Sequence, residues 1–521
     1  MSDEQTRVVI VGGSLVGLST ALFLRHHGVD VVLVERHPST SIQPRTPGYN
    51  ARTMESFRAV GIEDEVRAAG PWTLTGSGIL WAESLSSPNW HWIEHPSMHA
   101  PTEGFSEVSP SEMAVLAQDE LEPVLRARAE SLGGDLRFAT ELLSFAPDDE
   151  GVTVEVADRR TDERRSVRAD YLIAADGADS PVREALGIGR DGPGVLGHQV
   201  GIVVRTDLSE VLDGRSFAIS MVANQHVSGM VRVVGDLMIL NVEHDPDGGA
   251  VSEQFPEHRC AELARAAAGV PDLPVEVLDA QPWTTRAAVA RRFVHGRVLL
   301  AGDAAHVMPP SGALGANTGI QDGWNLAWKL ALVLDGRAGT DLLDTYGAER
   351  RPVAELTVDQ ALARGGAWFG DGEASTELID DLTLMFGYRY DSAALLAESG
   401  AGAEVEDPRR PSWAPGTRVP HVWLDGDRDE STVDACASGF ALLTGGDDSW
   451  PRASAELERR LGLPMTVRSV DPEAGASWGI EPSGAVLVRP DGFVAWRCAS
   501  MPENPADALE SVLDRILART S

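Results

Sequence analysis

The chain has one lysine, Lys329, among 521 residues, and three cysteines, Cys260, Cys436 and Cys498. The cysteines stand far apart and none belongs to a CxxC pair, which excludes the common metal spacings and a local dithiol. No metal site is expected. So sparse a set suits a reducing compartment, and the cytoplasm is the expected location. Basic charge is scarce too: 44 Lys and Arg face 79 Asp and Glu, a formal net charge of −35. That balance argues against nucleic acid or an anionic membrane as partner, and equally describes a solvated acidic surface. No apolar run approaches the roughly 18 residues of a membrane span. The N-terminal MSDEQTR is polar and acidic, unlike a signal or transit peptide. Internal repeats, low-complexity tracts and any Ser-His-Asp arrangement are missing. The length suffices for two to four domains.

What is present is a pair of half-sites. Residues 298-VLLAGDAAHVMPPSGALGANTGIQDGWNLAWKLALVL-334 read as a strand, an acid at Gly302-Asp303, a Pro- and Gly-rich loop, and a helix. Such a strand end suits a polyol and an anion. The helix is expected to open near Gly319 and to bury one face through Ile320, Trp324, Ala327, Trp328 and Ala331. At the other end of the chain, strand 7–11 leads into 11-VGGSLVG-17, then a helix over 15–28 and a strand, 31-VVLV-34, ending at Glu35. The turn approximates G-x-G-x-x-G, with Ser14 in place of the middle glycine. Glycines admit a pyrophosphate to the helix N-terminus, and Ser14 could donate its hydroxyl to phosphate. Glu35 is placed to accept from an adenosine ribose, which fits FAD or NAD. A ligand-free glycine turn and a plain turn aspartate remain the alternatives for each half alone.

Further along, helices are expected near 51–69 and 116–133, short strands over 136–175, and strand-like runs from 195 to 285 that form a separate antiparallel sheet. A Pro- and acid-rich linker, 404–420, precedes a last unit with a hairpin at 486–497 and a terminal helix. His91, His95 and His99 are four apart, but Pro96 breaks the helix such a metal site would need. Trp72, Trp81, Trp90 and Trp92 either line a pocket for a flat polycyclic ligand or form a packing loop.

Four segments together, 11-VGGSLVG-17 with Glu35-Arg36, 45–62, 174-AADGADSPVR-183 and 301–330, resemble the group A flavoprotein monooxygenases of the para-hydroxybenzoate hydroxylase type. Within that group the chain is most similar to aromatic polyketide hydroxylases such as aklavinone hydroxylase. The resemblance covers most of the chain. It implies an α/β architecture: a Rossmann-like FAD-binding domain (1–71, 111–180 and 286–395), an inserted antiparallel-sheet substrate domain (72–110 and 181–285), a linker (396–410), and a C-terminal thioredoxin-like domain (411–521). Gly12, Gly13, Ser14, Leu15, Val16 and Gly17 would hold the pyrophosphate, Glu35 the ribose, and Arg36 and Leu142 the adenine. Arg45, Gln118, Asp176, Gly302, Asp303, Gly315, Ala316 and Asn317 would hold the rest of the FAD. The Pro309, Pro310 and Gly312 loop would shape the catalytic pocket.

The implied reaction is hydroxylation of an aromatic ring through a C4a-hydroperoxyflavin, with non-covalent FAD, transient NADPH (or NADH) and O₂. No tyrosine lies in 172–345 to deprotonate a phenol. His198, His226, His244 and Arg286 are the candidates instead, and no base is assigned. A Baeyer–Villiger oxygenation on the same fold and a non-catalytic flavin-bound protein remain alternatives. A flavin halogenase fits poorly, because its lysine has no counterpart except Lys329. The protein is expected to be a monomer or homodimer.

Overall fold

The computed structural model describes residues 4–46, 48–70, 78–93, 104–369, 377–396, 405–424, 428–470 and 479–519. β-Branched runs too short for helices form its first sheet. Strands Val298–Leu300, Arg164–Ala174, Glu4–Val11, Val31–Glu35 and Asp135–Phe138 lie side by side and parallel. Their register is what makes a site possible: Ala174 is level with both Val11 and Leu300. Segments 290 residues apart in the chain therefore leave the sheet at one edge, where ligands bind in open parallel sheets.

A second eight-stranded sheet is built on two long strands, Arg190–Arg205 and Glu276–Ala290, paired antiparallel. Leu237–Glu243, Ser228–Val234, Ile219–Ala223, Ile79–Ala82 and His91–Ile93 extend it on one side. On the other side, His306–Val307 pairs with Glu276–Ala290. The loop after Asp303 thus joins both sheets. One face of the second sheet packs against helix Glu257–Ala268, a helix the strand-like reading of 195–285 overlooks. Its Cys260, Leu263, Ala264 and Ala267 close that core.

The last unit has four strands in the order Met465–Ser469, Phe440–Thr444, Ala485–Val488, Val494–Cys498, the first pair parallel and the rest antiparallel. Helices Ser449–Leu461 and Pro505–Ile516 flank it. Its Phe440, Leu487 and Phe493 share a core with Trp328, Tyr388 and Tyr390.

Two helices depart from expectation. Residues 51–69 form two short helices, Ala51–Ala59 and Glu63–Ala69, broken at Gly61. The long helix opens at Leu314 rather than near Gly319, after Ala313 takes a left-handed conformation with φ 53°. It is buried continuously from Asn317 to Ala331, not on one face, because the C-terminal unit covers its other side. Among the described residues no helix is long and apolar enough to cross a membrane.

Candidate active site

One continuous cavity of about 2060 Å³ runs from the ends of the parallel strands to the open face of the second sheet. A pocket for one drug-sized ligand spans roughly 300–1,000 Å³. This cavity has room for a dinucleotide and a second ring system.

At its phosphate end, Gly12 to Val16 lead into helix Leu15–His26, whose first amides have no partner within the helix. Gly12 has φ +105°, and a Cβ there would stand 2.2 Å from the Ala175 carbonyl oxygen, so only glycine lets the two strand ends cross. The Glu35 carboxylate accepts from the Gly13 amide at 2.6 Å and from the His37 amide at 2.8 Å. It is thereby held over the turn.

The Ser14 hydroxyl, which could donate to a phosphate, here donates to Glu122 at 2.6 Å. Glu122 is buried and also accepts from Gln118 Nε2 (2.7 Å) and the Ser41 amide (2.6 Å). Gln118 Nε2 lies 2.8 Å from Ser14 Oγ as well. Gln118 and Ser14 are thus cross-braced by an acid that sequence reasoning passed over. Its one signal was its position four residues after Gln118, on the same helix face.

Arg36, Arg45, Leu142 and Asp176 line the same cavity. Arg45 donates from Nε to Gln43 Oε1 at 2.9 Å, and its carbonyl accepts from the Gln118 amide. Asp176 Oδ2 accepts from the Val182 amide, while Oδ1 is buried without a partner among the described residues. Burial raises its pKa above the ordinary carboxyl value.

Asp303 opens into the cavity while protein crowds its remaining sides. That crowding raises its pKa, and His306, Arg190 and Arg45 partly restrain the rise. The loop that follows brings Pro309, Pro310, Gly312, Gly315, Ala316 and Asn317 to the wall. Asn317 Oδ1 accepts from the Asn50 amide (2.9 Å) and the Thr53 hydroxyl (2.7 Å). These bonds lock the loop to the segment after Arg45.

Gly17 and Gly302 do not line the cavity; they support it from behind. A Cβ on Gly17 would lie 1.9 Å from the Gly12 oxygen. Gly302 has φ +59°, and its Cβ would meet Val16 Cγ2 at 2.7 Å; a Cβ on Gly319 would meet the same carbon at 2.6 Å. Glycines at both places let the two helix N-termini converge on one cavity.

Behind Gly302 lies a second acid the sequence did not announce. Asp322 is fully buried on the long helix. It accepts from the Gly302 amide (3.1 Å), His306 Nε2 (2.7 Å) and Arg350 Nε (2.8 Å). Burial alone would raise this carboxyl, but His306 and Arg350 hold it below its ordinary value. The conformation of the Gly302-Asp303 turn is therefore fixed by charge-assisted hydrogen bonds.

The remaining wall comes from the second sheet: Val203, Met230, Arg232, Ile239, Asn241 and Trp283, with Phe217 and Phe105 beside them. Trp283 Nε1 donates to Asn241 at 3.1 Å. Burial pushes Arg232 down to about 10. The tryptophans singled out by sequence do not line the wall where they are described. Trp90 packs edge-on against Phe217, under Arg215, and Trp92 is half exposed. Trp72, His95, Pro96 and His99 lie outside the described residues, and His91 is exposed. Of the four candidate activating residues, Arg286 alone lines the cavity, and it is paired with Asp179. His198 faces Thr284, His244 packs on His198, and His226 sits on an exposed turn. All three cysteines are free thiols.

The glycine turn, the strand-end acids and the unpartnered helix amides together fit a dinucleotide bearing a ribityl chain; fold and site define a flavin-binding class. Known proteins agree. Residues 5–361 match the FAD binding domain family and residues 412–520 the C-terminal region of aromatic-ring hydroxylases. A putative polyketide hydroxylase of Streptomyces halstedii is 44% identical over 98% of this chain and 96% of its own. A 4-methyl-5-nitrocatechol 5-monooxygenase of Burkholderia sp is 42% identical over 99% and 98%. A crystal structure of aklavinone-11 hydroxylase with FAD and aklavinone superposes with a TM-score of 0.91 at 40% identity, covering all of both chains. The chain belongs to the FAD-binding aromatic-ring hydroxylases, and it is an FAD-dependent monooxygenase.

Proposed function

We propose that this enzyme hydroxylates the ring of a polycyclic aromatic polyketide, using NADPH or NADH and O₂. The single observation that carries the reading is the continuity of the cavity from the glycine turn to the apolar face of the second sheet. At about 2060 Å³ the cavity is larger than the roughly 300–1,000 Å³ of a pocket for one drug-sized ligand. The solved relative is a ternary complex with FAD and aklavinone.

In this reading Ser14, Leu15 and Val16 present backbone amides to the pyrophosphate, with Gly12, Gly13 and Gly17 shaping the turn. Glu35 meets the adenosine ribose, and Arg36 and Leu142 flank the adenine. Asp303 meets the ribityl chain, with Gly302 setting its turn. Arg45, Gln118 and Asp176 complete the grip, which is non-covalent. Bound FAD supplies the redox chemistry, accepting hydride from the nicotinamide and activating O₂. The residues of the chain position and exclude. Pro309, Pro310 and Gly312 form a rigid, largely apolar loop that keeps water from the reacting edge. Gly315, Ala316 and Asn317 open the long helix toward the flavin, where its positive end favours negative charge. The units follow the boundaries 1–71 with 111–180 and 286–395, 72–110 with 181–285, a linker at 396–410, and 411–521. The strand order and flanking helices of 411–521 support a thioredoxin-like unit; without a CxxC pair it serves as a cover rather than a redox centre. The small number of cysteines supports a cytoplasmic site of action.

The test is turnover. The purified protein should be yellow and release FAD on denaturation. Polycyclic hydroxyanthraquinones should accelerate its oxidation of NADPH and give a product 16 Da heavier with every ring carbonyl retained by NMR. Loss of a ketone carbonyl would establish ring expansion instead. Acceleration by monocyclic phenols alone would overturn the polyketide assignment.

A further inference from the structure

Strand Ser228–Val234 turns Val231 away from the cavity and Met230 and Arg232 into it. Val231 is fully buried on the helix side, in register with Leu240, itself in register with Ile202. Met230, Arg232 and Val234 line the cavity. Arg232 is in register with Ile239, and Ile239 with Val203, so its cross-strand neighbours on the cavity face are aliphatic. The row ends at Asp279, whose carboxylate accepts from Gln43. Elsewhere on the wall Arg286 pairs with Asp179, and Asp381 with Arg364.

Arg232 has no ion pair and no hydrogen bond among the described residues. A guanidinium does not shed its charge at neutral pH, even when burial weakens it. An unpaired cation held among aliphatic side chains is costly, and folded proteins rarely keep one without a counter-charge. Arg232 is half-buried on the cavity wall, so a counter-charge can reach it from the cavity.

We propose that Arg232 is a specificity-determining residue that pairs with an oxyanion substituent, a carboxylate or a phenolate, on the aromatic substrate. The proposal rests on the aromatic-hydroxylase reading of the cavity. The planar fork of the guanidinium can meet a carboxylate at two points, or a phenolate at one. Anchored this way, one edge of the ring system is fixed against the sheet, and the choice of reacting carbon narrows.

Equilibrium binding to the oxidised, FAD-loaded protein, without nicotinamide, tests it. The probes are anthraquinone-2-carboxylate against its neutral carboxamide, and ionised 2-hydroxyanthraquinone against 2-methoxyanthraquinone. Calorimetry on the wild type should favour an oxyanion over its neutral partner by about tenfold or more. Arg232→Met should lose that preference while keeping its affinity for the carboxamide, and Arg232→Lys should keep a smaller one. Preference in the carboxylate pair alone, the phenolate pair alone or both supports the anchor and identifies its ligand. Equal affinities in the wild type, or a preference that survives in Arg232→Met, overturns the anchor and leaves the aromatic site standing. Failure of all four probes to bind overturns the aromatic reading and the anchor with it.

Discussion

Arg489, in the C-terminal hairpin, and Glu349, on helix Asp344–Phe369, form a fully buried two-point ion pair, with Nη1–Oε1 at 2.6 Å and Nη2–Oε2 at 2.8 Å. Glu349 also accepts from Lys329 Nζ (2.6 Å) and Asn325 Nδ2 (2.7 Å), both on the long helix that opens at the flavin loop. The C-terminal unit is therefore fastened to the element that shapes the active site. Its contact is made of charges that neither half can leave unpaired.

Arg489→Met should for that reason be severe. It removes the ion-pair partner of buried Asp491 and leaves Glu349 with Lys329 as its cation, and breaking one partner of a buried pair costs about 3–5 kcal/mol. Urea denaturation of the FAD-loaded protein, followed by flavin fluorescence, should show a loss of that order. A loss below about 1 kcal/mol, the level of an exposed pair, would mean that the contact is solvated.

Lys329 gives the same network a pH signature. Burial lowers its pKa from 10.5 to about 8, against the pull of Glu349. Between pH 8 and 10.5 the unfolded chain then holds a proton that the folded chain has released, so this group adds stability as pH rises through that window. The stability difference between wild type and Lys329→Met should shift toward the wild type from pH 8 to 10.5. Because the chain has one lysine, ¹³Cε-labelled lysine gives a single resonance. Its midpoint should fall near 8; titration near 10.5 would contradict the buried environment.

Gly302→Ala should purify with little flavin. The new Cβ would stand 2.7 Å from Val16 Cγ2 on a backbone with φ +59°. The left-handed conformation alone costs about 1–2 kcal/mol for alanine, roughly tenfold or more in affinity if the turn relaxes away from its bound shape. Fluorescence titration of the apoprotein with FAD measures it. Unchanged affinity would show that the turn does not contact the cofactor.

The glycine turn and the acids at strand ends were legible because they are local patterns: strand, small residues, helix, within a few positions. Glu122 was not, because its partners Ser14 and Ser41 stand 108 and 81 residues away in the chain. Asp322 falls outside the buried face read through Ile320, Trp324, Ala327, Trp328 and Ala331. Its partners Gly302, His306 and Arg350 stand 20, 16 and 28 residues away in the chain. The choice between pocket lining and packing loop for the tryptophans was open for a similar reason. Composition drew attention to Trp81, Trp90 and Trp92, whereas side-chain direction in the second sheet turned Trp283 to the cavity. Only the sheet register decides that direction.

Glu122→Leu tests the part that sequence reasoning missed. It removes the acceptor for the Ser14 hydroxyl and the Ser41 amide, leaving buried donors that cost about 1–3 kcal/mol each. FAD affinity should fall by about tenfold or more. Glu122→Gln, which keeps one acceptor oxygen, should lose less. Equal effects of the two substitutions would point to charge rather than hydrogen bonding as the brace.

The most direct test of the central claim is isotopic. The FAD-loaded enzyme, NADPH and a polycyclic hydroxyanthraquinone that it turns over are incubated under ¹⁸O₂, and the product is analysed by mass spectrometry and NMR. The account expects one ¹⁸O in each product molecule, carried as a new hydroxyl on an aromatic carbon. Label taken from water, or label placed in a lactone ring, would contradict it.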